Sequence, residues 1–511
     1  MDNRNAKRSV IDRRTLLRRG ALLGGVAAMG PLHALGARAA MGAQPSESAG
    51  YGPLVNKGEL WLPVEFNYQV ISRQGMLQRD GTVTSGIFDG MGAFPGPPGL
   101  GHTTILIRNH ENRERPGEVK VTTPTNPASQ YDPTAFGGNS KLVVRRDRTG
   151  MDEFHNPMYT YTVIDSFNIL GGTSTNCAGG VRSPHQWLTC EEVVKRQPNG
   201  LKHGYVFEID AYSDVAVPAI PIPQLGRRSH EAAIERAGII YMTEDRSKSP
   251  DPIAGQIGAV FYRYIPSPRG GGVPLVETRG PLEGLAIRGV PRMDMDTAAV
   301  GVPYPVVWVP VPEPDHEDDT DNRRDRAPRF TPNRVQAIDR GAAIFSRQEG
   351  MWAGPGSARG NGAKVYFDCT SGGRARLGQV WEYDPGRETL TLIYESTNAA
   401  TLQNPDNVVI VPQTQDILLQ EDGAGEQFIR GVTQDGQIYD FAKTGEQSDS
   451  EFCGGCFDPD GQTLYVNQQG DRGVDESGQP TAGVTPAVTY AIYGPFEKRF
   501  GNNSKNFGNG R

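Results

Sequence analysis

The sequence has 511 residues, with 64 glycines and 39 prolines spread along it and a formal net charge of -7. So acidic a chain makes a poor surface for nucleic acid or an anionic membrane, and five cysteines are too few for a disulfide scaffold. Length alone allows two or three domains, yet no stretch has the composition of an interdomain linker.

The chain opens on Arg13-Arg14, a spacer and Leu16-Leu17, followed by an uncharged apolar run from Ala21 to Leu35 and the small-x-small site Ala37-Arg38-Ala39. This is the pattern of a twin-arginine signal peptide over residues 1–39. The apolar run is too short and too glycine-rich to span a bilayer comfortably. The reading predicts passage through the twin-arginine export machinery to the periplasm or medium, with no stable membrane anchor in the mature form. Beyond residue 39 the chain carries 44 Lys/Arg against 57 Asp/Glu, a net of -13. An acidic protein that handles anions needs cations, and metal ions are the obvious source.

Beyond the signal, long helical periodicity is almost absent. Short β-branched or aromatic runs such as Thr104–Arg108, Ile239–Thr243, Val365–Asp368, Ile417–Gln420 and Thr463–Asn467 are bounded by Gly, Pro, Asp or Asn. In chain order, six segments share one plan, in which a polar or acidic residue opens a strand and the returning strand ends in a polar or acidic pair. The strand openings and returning ends are Asp89 with Asn109-His110-Glu111, Asn176-Cys177 with Glu191-Glu192, and Ser229-His230-Glu231 with Glu244-Asp245-Arg246. Arg347-Gln348-Glu349 with Asp368-Cys369-Thr370, Asp406-Asn407 with Glu421-Asp422, and Glu451 through Cys456 with Asn467-Gln468 complete the series. Six hairpins of one design predict an all-β fold, a six-bladed β-propeller-like domain over residues 40–511 with loop and insertion decorations. Closure leaves few exposed edges, so a monomer is expected.

In an antiparallel hairpin the start of one strand and the end of the next share an edge. Blades around an axis gather those edges at one mouth. Asp89, Glu111, Glu191, Glu192, Glu231, Glu244, Asp245, Glu349, Asp406, Glu421, Asp422 and Glu451 are thereby expected near one region. A single acid after a strand is usually a solvated turn residue, but the same placement recurs in blade after blade. Two carboxylates about 4 Å apart repel by roughly 4 kcal/mol at an effective dielectric near 20, so a dozen require cations. Carboxylates with Asn and water suit calcium, and a thiolate or imidazole admits iron or another transition metal. For Cys453-x-x-Cys456 a disulfide, two buried thiols and zinc stay open. His230 is open between ligand, partner of Glu231 and core residue, and strand alternation makes Cys190 a packing residue.

Phe88-Asp-Gly-Met-Gly-Ala-Phe94, Leu106-Ile-Arg-Asn-His-Glu111, Asn176-Cys-Ala-Gly-Gly180, Trp187-Leu-Thr-Cys-Glu-Glu192, Ser229-His-Glu-Ala232, Thr243-Glu-Asp-Arg246, Arg347-Gln-Glu-Gly350, Asp368-Cys-Thr-Ser-Gly-Gly373, Pro405-Asp-Asn-Val408, Glu421-Asp-Gly423 and Phe457-Asp-Pro-Asp-Gly461 together resemble the PhoX (DUF839) family of calcium-dependent alkaline phosphatases. The resemblance runs through most of the mature chain in order. It implies an axial cluster of Fe3+ and Ca2+ that hydrolyses phosphate monoesters of small molecules. Under it, Cys177 is the thiolate ligand of an iron pair and Glu244 an iron or bridging carboxylate. Glu191, Glu192, Glu349, Asp406, Glu421 and Asp422 surround iron or calcium. Glu111, Glu231, Asp245 and Asn407 complete the expected ligands. Arg347 is the expected phosphate clamp, with Arg246 beside it at the substrate. The competing readings are a calcium propeller acting on lactones or phosphotriesters, and a non-catalytic exported propeller whose calcium is structural.

Overall fold

All six hairpins read from the sequence form antiparallel pairs in the computed structural model. Phe88–Pro95 pairs with Thr103–His110, Asn176–Arg182 with Gln186–Glu191, and His230–Arg236 with Ile239–Glu244. Gln348–Ala353 pairs with Val365–Cys369, Pro405–Ile410 with Ile417–Glu421, and Phe452–Phe457 with Thr463–Gln468. The structure describes residues 45–499 except 47–48, 116, 125, 183, 250–255, 270–271, 317–330, 355–363, 435, 446–447, 449 and 472–484. The signal peptide read at 1–39 lies outside the described residues.

The first strand of each hairpin is the inner strand of a blade. Each inner strand touches the next in chain order, and the sixth touches the first, so the six close a ring. The fold is therefore a six-bladed propeller. Its core is divided accordingly, with one apolar cluster between each neighbouring pair of blades. Phe94, Ile105, Trp187 and Phe207 fill the gap between the first and second blades. Phe261, Phe367 and Trp381 fill that between the third and fourth, and Met91, Leu106, Tyr465 and Ala491 that between the sixth and first. A blade buried on both faces needs near-continuous apolar strands, which explains the short unalternating runs in the sequence.

The ring is locked by a strand the sequence reading did not identify. Asn67–Arg73, near the start of the described chain, pairs with Val488–Tyr493 and completes the sixth blade. Two decorations matter for the site. Pro303–Pro310 pairs with both Leu282–Ile287 and Thr389–Glu395 and so joins the third and fourth blades at their outer strands. The helix Asn333–Asp339 carries buried Arg334 toward the third blade.

Candidate metal centre

Each of the six hairpins carries a register shift near the opening of its inner strand. It falls between Phe88 and Met91, Asn176 and Gly179, His230 and Ala233, Gln348 and Met351, Pro405 and Asn407, and Cys453 and Cys456. A bulge breaks strand alternation and re-aims a side chain. The residues so released are Asp89, Cys177, Glu231, Glu349 and Asp406, with Gly454 in the sixth blade. Cys177 Sγ lies 3.4 Å from Asp89 Oδ2. Donor atoms of Cys177, Glu192 and Glu231 lie within 4.8 Å of one another, as do those of Glu231, Glu349 and Asp406. The next residue in each bulge is mostly small because neighbouring inner strands nearly touch at the axis. A Cβ on Gly90 would sit 2.7 Å from Ala178 Cα, and one on Gly350 2.7 Å from Asn407 Cα.

The returning strands end in pairs whose two members point opposite ways, as adjacent strand residues must. The first member of each pair is held inside the blades. Glu191 accepts from the main-chain nitrogens of Ser174 at 2.9 Å, Gly204 at 2.7 Å and Tyr205 at 3.1 Å, and lies 2.7 Å from His203 Nδ1. Glu244 accepts from Tyr262 Oη at 2.8 Å and Arg334 at 3.3 Å. Glu421 accepts from Gln403 N at 2.8 Å and Arg430 Nε at 3.2 Å. These three carboxylates, expected as cation ligands, are instead committed to donors away from the axis. In the first, second and fifth blades the second member faces the mouth. Glu111, Glu192 and Asp422 line an axial cavity of about 390 Å³ together with Cys177, Glu349, Asp406, Glu451, Arg347, Arg113 and Gln469. Asp245 stands beside it, accepting from Arg347 Nε at 3.0 Å.

The remaining residues singled out in the sequence divide between the cavity and its surroundings. Asn407 donates to Asp406 Oδ2 at 2.6 Å and accepts from Gly454 N at 3.3 Å, so it steadies a mouth acid and ties two blades. Arg246 passes its carbonyl to Arg347 N at 3.1 Å, and its side chain is not part of the cavity wall. His230 is a core histidine whose Nε2 meets the Gly226 carbonyl at 2.9 Å. All five cysteines are buried and free, so Cys453 and Cys456 form no disulfide. Asp89, placed at the mouth from the sequence but not among the ligands, sits in the inner ring. Arg113 and Gln469 carried no signal in the sequence. Gln469 Nε2 reaches Glu111 Oε2 at 3.0 Å and Asp89 Oδ2 at 3.3 Å.

Blade-to-blade polar links run just beneath the ring. Asn109 Nδ2 donates to the carbonyls of Cys177 at 2.5 Å and Ala178 at 2.8 Å. Thr243 Oγ1 donates to the Glu349 carbonyl at 2.7 Å, and Asn467 Nδ2 to the Asp89 carbonyl at 2.6 Å. Each reaches from a returning strand to the inner strand of the next blade. Asp368 holds the matching place in the fourth blade, fully buried with neither carboxyl oxygen hydrogen-bonded.

Burial, and then neighbouring carboxylates, push Asp89, Glu192, Glu231, Glu349 and Glu451 well above the usual carboxylate range. Asp406 is pushed up to about 7 by burial and then Asp422. Burial followed by Asp89 and Glu231 likewise raises the Cys177 thiol. Without cations this mouth resists holding its charge. Arg347 is the main counterweight, its Nη2 2.7 Å from Glu349 Oε1. It has φ 48°, and Ile87, Thr175 and Asn404 take the same left-handed conformation just ahead of their own inner strands. Strain of this kind collects at functional sites.

The donor set fits metal ions. Asp89 Oδ1 and Glu231 Oε2 are buried without hydrogen-bond partners, and clustered carboxylates suit hard cations while a thiolate in the same cluster suits a transition metal. Fold and site together define a propeller with a carboxylate-lined mouth on its axis whose donor atoms suit cations. Residues 49–471 match the family model described as alkaline phosphatase PhoX, and the chain belongs to that family of metal-dependent phosphomonoesterases. No curated protein sequence matches the chain. Among solved structures it is similar to a glucose dehydrogenase-type oxidoreductase of Thermus thermophilus, at 11% identity and a TM-score of 0.31 over 69% of this chain and 99% of that one. A Trypanosoma rangeli sialidase in complex with sialic acid follows at 7% and 0.29, over 78% and 54%. The aldose sugar dehydrogenase of Streptomyces coelicolor stands at 9% and 0.25, over 61% and 100%. Scores this low carry no argument, and the propeller rests on the closed ring of inner strands.

Proposed function

We propose that this protein is an exported phosphatase that hydrolyses small-molecule phosphate monoesters at an iron and calcium cluster on the propeller axis. The observation that carries the reading is the convergence of Cys177, Glu192, Glu231, Glu349 and Asp406 beside Arg347. Asp89, Cys177, Glu192 and Glu231 would hold iron, since the only thiol of the cluster lies among them. Glu349, Asp406, Asp422 and Glu451 would hold calcium through oxygen alone. Ions held there would supply positive charge for the phosphoryl oxygens and a more acidic water for attack.

The chain's own residues complete the site. Arg347 presents its fork to the phosphoryl group, as guanidinium suits phosphate, and Asp245 and Glu349 fix its plane. Arg113, anchored by Glu111 and Glu192, supplies a second cation at the cavity wall. In the reaction the water oxygen bonds to phosphorus as the ester P–O bond breaks. The departing oxygen takes a proton, giving an alcohol and inorganic phosphate. The Cys177 thiol, deep in the ring, serves better as a ligand than as a nucleophile. Export follows the twin-arginine route, and the mature protein is a monomer without a membrane anchor. Among the described residues no helix is long and apolar enough to cross a membrane.

The test is p-nitrophenyl phosphate hydrolysis at alkaline pH, with and without chelator, alongside metal analysis. Chelator-sensitive turnover with iron and calcium in the protein is expected. Calcium without iron, together with full activity in Cys177→Ser, would favour the calcium-only readings. No turnover by fully metallated protein would favour a binding role.

A further inference from the structure

A second cavity opens beside the axial one. It has a volume of about 350 Å³ and is lined by Arg113, Glu114, Arg115, Thr175, Glu192, Val193 and Lys195. Arg113 and Glu192 belong to both cavities, so the two are lobes of one mouth. Their charge differs sharply. The axial lobe is walled by carboxylates, whereas the side lobe sets three cationic side chains against two carboxylates.

The side lobe is built, not a gap between mobile chains. Lys195 is held by Glu114 and donates to Ser174 Oγ at 2.7 Å. Glu114 also accepts from Ser174 Oγ at 3.2 Å and Phe136 N at 3.3 Å. The Arg113 main chain donates to Glu118 at 2.6 Å, which pins the turn carrying Arg115. Buried Thr175 forms the floor in a left-handed conformation, φ 56°, costly for a β-branched residue. Its N–H donates to the Asn112 carbonyl at 3.1 Å and its carbonyl accepts from Glu192 N at 2.8 Å. These two bonds hold the wall between the lobes. Arg115 is exposed and paired with no carboxylate among the described residues.

Arg113 is neutralised by Glu111 and Glu192. Arg113 lines both lobes, Lys195 lines the side lobe, and Arg115 there has no carboxylate partner among the described residues. Such a lobe favours an anion on the leaving group, next to the phosphoryl group in the axis.

We propose that the side lobe is a subsite for a second phosphate, so that the preferred substrates are phosphomonoesters whose leaving group carries another phosphate. This rests on the hydrolytic reading above. Arg115 and Lys195 grip the distal phosphate, and Arg113 spans the two groups.

The test uses the metal-loaded enzyme and compares KM for a sugar bisphosphate with KM for the corresponding monophosphate, with p-nitrophenyl phosphate as reference. Wild type is expected to have a KM about tenfold lower for the bisphosphate, the effect of one or two charge-assisted contacts. In Arg115→Ala and in Arg115→Glu that ratio collapses toward one, and Lys195→Met lowers it as well. Arg115 is exposed, so its variants are expected to fold. Equal KM values in wild type, or a ratio unchanged by all three variants, overturn the subsite while p-nitrophenyl phosphate is still hydrolysed. Absence of p-nitrophenyl phosphate turnover in wild type is the separate result that removes the hydrolytic reading and this proposal with it.

Discussion

Arg347 Nη2 lies 2.7 Å from Glu349 Oε1, and the same guanidinium lies 3.0 Å from Asp245 Oδ1, so one arginine is clamped in a fixed plane at the edge of the axial mouth. The clamp holds a side chain more than a third exposed in one orientation, as the proposed phosphate contact requires. Replacing it with alanine removes the fork and leaves Glu349 without its main cation. Arg347→Ala should lower kcat/KM by about a hundredfold, the scale seen when one preorganised donor to a transition state is lost. Arg347→Lys should recover only part, because an ammonium cannot reproduce a bidentate fork. Steady-state kinetics on p-nitrophenyl phosphate reads both.

Cys177 supplies the one sulfur atom in the donor cluster with Glu192 and Glu231. Cys177→Ser keeps the volume and removes the soft ligand. The variant should lose iron and any visible charge-transfer band while retaining calcium. Elemental analysis with an absorption spectrum decides it, and iron at the wild-type level would remove the thiolate assignment.

Glu191 and Glu192 make a sharper pair, being neighbours with opposite duties. Glu192→Gln should lower metal content and activity with little change in stability. Glu191→Gln should cost about 3 kcal/mol of stability, since it strips a buried carboxylate from its histidine and backbone donors. Urea unfolding beside metal analysis separates the two, and matching effects in both variants would contradict the alternation.

His203 gives the pH dependence. Burial works against its charge, but Glu191 Oε1 at 2.7 Å and Asp132 Oδ2 at 3.2 Å outweigh it, so its pKa is raised above 6.5. A histidine raised by folding contributes stability in full below its unfolded pKa and loses it as pH climbs through the folded one. Unfolding free energy should therefore fall as pH rises above 6.5, on the alkaline side. His203→Gln should be less stable in mildly acidic buffer and show a shallower slope than wild type, the carboxylates raised at the mouth supplying the remainder.

Asp368 should be improvable. The matching places in other blades hold Asn109, Thr243 and Asn467, each donating to a carbonyl of the next inner strand. Neither Asp368 oxygen makes a hydrogen bond, and burial, then Asp406, push its carboxyl well above the usual range, so the place is held by an acid that links to nothing. Asp368→Asn supplies the missing donor and should stabilise the metal-free protein by about 1–2 kcal/mol, the cost of one unsatisfied buried group. A drop in the urea midpoint would assign Asp368 to another partner.

Several features were fixed by the sequence alone because they are local. Strand runs, Gly and Pro turns and the acidic pairs ending each return were enough to place six hairpins, and antiparallel pairing then put their acids at one edge. Tertiary structure decided which acid of each pair faces the mouth. Glu192 and Asp422 reach the mouth while Glu191, Glu244 and Glu421 turn inward, because a bulge resets parity in the inner strand and alternation fixes it in the returning one. Contacts distant in sequence were equally beyond reach. Arg334 meets Glu244 from a helix 90 residues on, and Asn67–Arg73 closes the ring against Val488–Tyr493 from the far end of the described chain. A local pattern can say where a carboxylate stands along a strand. Only the packed blades determine whether it faces the axial mouth or an arginine in the wall.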